Sequence, residues 1–137
     1  GTIIRNYIGD RIIKHGYNEK RINFNFDFAT SHSCGFYVKR NIIDEIGKYN
    51  VRYKCSSDYD FYYRLISSKK FRGGFTEKSD VVGEVASGGF SSKLSFFEHL
   101  IEETKIRIDN NQNKILIIII FINALIKNFF KRLNIKN

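Results

Sequence analysis

The sequence predicts an α/β fold, a mixed β-sheet flanked by helices and followed by a helical tail. Three observations carry this reading. Short β-branched stretches occur near the N-terminus and again at 80–86. Helix-start chemistry recurs at Asn41 and at Ser56-Ser57-Asp58. The final residues form a long apolar and basic run of helical character.

Taken in order, Thr2 to Ile8 reads as a strand, with Gly9-Asp10 as the turn after it and Arg11 to Tyr17 as a second short strand. Ile22, Phe24, Phe26 and Phe28 alternate with Arg21, Asn23, Asn25 and Asp27, the period of a half-buried strand. Ser31 to Val38 reads as a buried strand. Asn41 is the expected N-cap of a short helix over 42–46, with Asp44 placed as in a capping box and Gly47 as its left-handed stop. A helix is expected from Asp58 to about Ser67, with Tyr59, Tyr62, Tyr63 and Ile66 on one face. Lys69 to Phe75 reads as strand or bend, Asp80 to Ala86 as strand, and Ser87 to Ser92 as a glycine-bearing loop. Leu94 to Asn110 should be helical. Ile115 to Ile126 is apolar apart from Asn123 and lies between Lys114 and Lys127, shorter than the ~20 apolar residues that span a bilayer. The expected organisation is a domain over 1–110 and a basic apolar tail over 111–137.

At 137 residues the chain can bury one core and not two. Its net charge of +9 suits an anionic membrane surface, a phosphorylated substrate or nucleic acid. Nucleic acid ranks last, because the aromatics alternate as core positions and the basic residues gather in the tail, where nothing acidic follows Asp109. Cys34 and Cys55 fit no zinc spacing and no disulfide framework, so two buried thiols in a reducing, cytoplasmic setting are expected, with the tail at a membrane surface. The N-terminus does not read as a signal peptide, and the chain reads as a piece of something longer.

The chemistry concentrates in Cys55-Ser56-Ser57-Asp58-Tyr59-Asp60-Phe61-Tyr62-Tyr63-Arg64-Leu65. A serine cap places Asp58 and Asp60 in a first helical turn, where the dipole favours ionised carboxylates. An ionised, positioned carboxylate can accept a proton from a substrate hydroxyl. The plainer alternative is that both aspartates only start the helix.

From about Phe26 to Glu103 the order of motifs resembles the acceptor-side, C-terminal half of a family-2 glycosyltransferase with the GT-A fold. The matching elements are His32-Ser33-Cys34-Gly35-Phe36 before Lys39-Arg40, then Gly47-Lys48-Tyr49-Asn50, then Asp58-Tyr59-Asp60-Phe61-Tyr62-Tyr63-Arg64, then Gly88-Gly89-Phe90-Ser91 before a helix whose glutamate is Glu98 or Glu102. Each motif is loose, and the order and spacing carry the specificity. The resemblance implies inverting transfer of a sugar from a nucleotide-sugar donor to a glycan or other hydroxyl acceptor. It makes Asp58 the catalytic base. Asp60 and Arg64 would hold the helix start and acceptor pocket, His32 would line the acceptor side, and Gly88, Gly89 and Ser91 would close near the diphosphate. For His32 alone, a structural role outweighs a catalytic one.

The departure from that family is large. Its donor-binding half carries an Asp-x-Asp that holds a divalent metal, Mg or Mn. No such motif follows an apolar strand here, and Asp58-Tyr59-Asp60 opens a helix instead. These residues alone are not expected to transfer sugar. The competing reading is a non-catalytic, basic module for a membrane surface or a protein partner, to which the tail speaks directly.

Overall fold

The computed structural model describes residues 2–7, 10–24, 33–86 and 88–134. Two compact units divide the chain, Gly1–Leu94 and Ser95–Asn137. The division falls earlier than the change in composition near residue 111, because the helix before that point belongs to the second unit.

In the first unit, strand β1 (Thr2–Tyr7) is the middle of a three-stranded mixed sheet, between β2 (Asp10–Lys14) and β3 (Val81–Val85). β1 and β2 run antiparallel, with Ile4 opposite Ile13 and Tyr7 opposite Asp10. β1 and β3 run parallel, Ile4 opposite Glu84, with an irregularity between Thr2 and Ile3. A parallel neighbour requires a long crossover. Residues 15–80 supply it and carry helices α1 (Arg40–Ile46) and α2 (Ser57–Ser67). The mixed sheet, its strands and both helix positions agree with the sequence reading.

Two expected strands are replaced by 3-10 turns over their described residues. Glu19–Asn23 is a 3-10 helix begun by Asn18, whose side chain accepts the Lys20 N–H at 3.1 Å. The alternating pattern at 22–28 had suggested a strand, but the cap at Asn18 nucleates a tight turn through Asn23, and Ile22 enters the core, 2% exposed. Residues 25–28 lie outside the described residues. Ser33–Gly35 is likewise a 3-10 turn followed by irregular chain, where a strand was expected over 31–38. Gly35 is buried and this turn packs against β1 and β3, so the segment serves the sheet from its face rather than from its edge.

α1 begins at Arg40 with Lys39 as its N-cap, so Asn41 lies inside the helix and Asp44 makes no capping box. Gly47 ends it as expected. Its φ of 87° suits glycine, and its N–H returns to the Ile43 carbonyl. α2 is buried on more than the one face its periodicity suggests. Tyr59, Phe61, Tyr62 and Tyr63 are each at most 3% exposed. The surrounding loops account for this. The Tyr59 hydroxyl donates to the Ile22 carbonyl at 3.2 Å, Tyr49 meets the Phe61 ring at 5.0 Å, and Phe36 meets the Tyr62 ring at 4.2 Å. Cys34 is exposed and Cys55 half-buried, which corrects the expectation of two buried thiols.

The second unit pairs α3 (Phe96–Asp109) with α4 (Lys114–Asn134). A capping box starts α3: Ser95 Oγ accepts the Glu98 N–H at 3.2 Å, and Glu98 Oε2 accepts the Ser95 N–H at 2.7 Å. Asn111, at φ 56°, turns the chain, and Asn113 Oδ1 caps α4 by accepting from Ile115 and Leu116. Leu100, Ile106, Arg107 and Ile117 are its buried residues. Among the described residues no helix is long and apolar enough to cross a membrane.

Candidate functional site

The acidic stretch forms the entrance of α2, and its two carboxylates have different surroundings. Ser56 is the N-cap residue, with φ −106° and ψ 24°, but makes no capping bond through its side chain. This corrects the expected serine cap. Asp58 takes part of that work, its Oδ1 accepting the Tyr59 N–H at 2.8 Å. Asp58 is half-buried and keeps contact with solvent.

Asp60 is 3% exposed, and its Oδ2 receives Arg64 Nε at 3.0 Å, one helical turn on. The same guanidinium donates to the Ile46 carbonyl, and to the Lys48 carbonyl at 2.8 Å, while lying 5.5 Å from the centre of the Phe61 ring. The first of these carbonyls ends α1 and the second follows its cap, where helical carbonyls lack intrahelical partners and the dipole favours a cation. Asp60 and Arg64 thus clasp the end of α1 to the side of α2.

Around Asp58 the neighbours are aromatic. Burial raises the Tyr62 phenol well above its usual range, and Tyr49 and the Asp58 charge push it the same way, with Cys34 adding a smaller effect. Tyr62 is therefore a neutral phenol at any physiological pH, close enough to feel the Asp58 carboxylate. The sequence reading placed Tyr62 on the core face and Tyr49 in a motif, and neither beside Asp58. For Tyr62 the signal was its i, i+4 spacing from Asp58 on one helix.

Of the other expected site residues, His32 lies outside the described residues. Gly88 adopts φ 95°, and Gly89 precedes a 3-10 turn, Phe90–Lys93, closed by Ser92 Oγ donating to the Gly89 carbonyl at 2.7 Å. Gly88, Gly89 and Ser91 are exposed. Glu98 is engaged in the α3 capping box. Among the described residues no three His, Cys, Asp or Glu side chains gather as a metal site, and the two aspartates of the acidic stretch are directed to the Tyr59 amide and to Arg64.

A cavity of about 670 Å³ lies elsewhere in the first unit. None of Asp58, Asp60, Arg64, Gly88, Gly89 or Ser91 lines it. Its walls come from 16–17, 35–42 and 65–76, which bring aromatic and basic residues together. Sequence reasoning took Lys69 to Phe75 as strand or bend and missed it. Arg72 and Phe75 on either side of Gly73-Gly74 were the available signal. Comparison with family models, with curated proteins and with solved structures returns no match to this chain.

Proposed function

We propose that this chain is the acceptor-side half of a family-2-like, inverting glycosyltransferase of GT-A type, with Asp58 as the base. The supporting observation is the unequal fate of the two carboxylates. Asp60 is buried and held by Arg64, whereas Asp58 reaches solvent from the first turn of a helix whose aromatic side chains are buried. In the reaction, the acceptor oxygen bonds to the anomeric carbon as its proton passes to the Asp58 carboxylate. The bond from that carbon to the nucleotide diphosphate breaks on the opposite face. The donor-binding strands that this chemistry needs are not among the 137 residues, so a longer protein or a partner has to supply them.

The test is Asp58→Asn with a donor-binding half supplied, in cis or in trans. Loss of a general base lowers transfer by ~10²–10⁴-fold, with donor binding and thermal stability nearly unchanged. Asp60→Asn should cost less in rate and more in stability. Full transfer by Asp58→Asn would leave Asp58 as a helix-start residue only.

A second reading, a basic membrane-surface module, has its own observation. α4 exposes Ile115, Ile118, Ile119, Ile122, Ile126 and Phe129, each at least 49% accessible, beside Lys127, Lys131 and Arg132. An amphipathic helix of that composition suits anionic headgroups. Flotation with anionic vesicles, with and without residues 113–137, separates the two readings. Equal flotation would remove this one.

A further inference from the structure

The cavity of the first unit differs in chemistry from the entrance of α2. Among the described residues three cationic side chains line it, Lys39, Lys70 and Arg72, and no aspartate or glutamate does. Lys70 is paired, its Nζ 2.7 Å from Glu45 Oε1. Lys39 and Arg72 are exposed and supply positive charge to the cavity.

The walls are aromatic and backed by fixed structure. Phe36 stacks on buried Tyr62 at 4.2 Å. Phe75 takes the edge of His15 at 5.4 Å, and the His15 ring is itself hydrogen-bonded to the Thr76 carbonyl at 2.8 Å. Tyr17 lies so close over Gly73 that a Cβ there would come within 2.5 Å of its ring. Only glycine admits that approach, so Gly73 seats Tyr17 in the wall. A volume of about 670 Å³ is in the range of sites for small organic ligands. Apolar walls with a few cations suit a ligand with an apolar face and a negative charge.

We propose that this cavity binds a small organic anion built on a six-membered ring, one ring face against Tyr17, Phe36 and Phe75 and the anionic group at Lys39 and Arg72. The cavity takes in none of Asp58, Asp60 and Arg64 and meets the acidic stretch at Leu65, so binding there can be tested apart from the glycosyltransferase reading.

Amide NMR of the full chain tests it with five probes: 4-nitrophenyl phosphate, a hexose phosphate, a hexuronic acid, the neutral hexose and inorganic phosphate. At least one of the three ring anions should move the signals of Gly35, Gly73 and Gly74 with a Kd on the order of 0.1 mM or tighter. Comparison among those three separates aromatic phosphate, sugar phosphate and sugar acid. The double variant Lys39→Gln/Arg72→Gln should weaken binding about tenfold, and Phe75→Ser about fivefold. These positions are exposed, so both variants should keep the parent circular dichroism spectrum and unfolding midpoint. Equal binding of inorganic phosphate or of the neutral hexose would overturn the proposal. So would undiminished binding by the double variant, or the absence of shifts at these glycines with about 5 mM of every ring anion.

Discussion

α2 and α4 reverse what their compositions suggest. α2 holds two aspartates, an arginine and three tyrosines, yet its aromatic side chains are almost wholly buried. α4 is the more apolar helix, yet of its isoleucines Ile117 is the one counted in the core, while Ile115, Ile118, Ile119, Ile122 and Ile126 are exposed. The difference lies in what surrounds each helix. Loops, a 3-10 turn and α1 close around α2, and its charged groups have partners waiting at Tyr59 N–H and at the end of α1. α4 has α3 as its neighbour within the second unit, and one helix can cover only one stripe of another. Burial follows the neighbours available, not apolar content alone.

The sharpest way to break this comparison is a matched pair of truncations. Phe61→Ala removes a fully packed ring from α2 and should destabilise the first unit by about 3–5 kcal/mol. Ile118→Ala removes an exposed side chain from α4 and should stay within about 0.5 kcal/mol of the parent. Urea denaturation of the full chain measures both, and similar costs would show that α4 is covered in solution. A smaller effect is expected at the clasp. Arg64→Met removes the ion pair of buried Asp60 and the donors to the Ile46 and Lys48 carbonyls, at a cost of about 3 kcal/mol. The added change Asp60→Asn should recover part of that loss, since a buried charge that has lost its arginine is then gone. No recovery would mean that the carbonyl contacts, rather than the ion pair, hold α1 to α2.

The smallest effect concerns α3, the neighbour that α4 does have. Burial raises the Glu103 carboxyl above its ordinary value, with Arg107 and His99 pulling it back. A carboxyl raised on folding stabilises the folded state while protonated. That contribution is present in full below the unfolded value near 4.5 and is lost as pH rises through the raised one. Glu103→Gln should therefore flatten the stability profile from the unfolded value of 4.5 upward, read by thermal melts across that range. An unchanged profile would place the pH dependence on other groups.

Much of the fold was legible along the chain, because it depends on local signals. Short β-branched runs gave β1, β2 and β3, Gly47 gave the end of α1, and the acidic stretch gave the start of α2. The pairing of Asp60 with Arg64 is a four-residue helical spacing and so is written in the sequence. Tertiary structure decided the rest. Ile22 alternates like a strand residue but sits in a 3-10 turn, because Asn18 caps that turn and Tyr59 reaches its carbonyl from 37 positions away. The arginine's second role depends on α1 lying alongside, as does the choice of Asp58 over Asp60 as the carboxylate left facing solvent. The cavity is the clearest case. Its walls come from three separated segments, and no local pattern can state that Tyr17 rests on Gly73 or that Lys39 and Arg72 share one opening. Periodicity and caps report on neighbours three or four residues apart, whereas burial and binding sites depend on groups that only chain folding brings together.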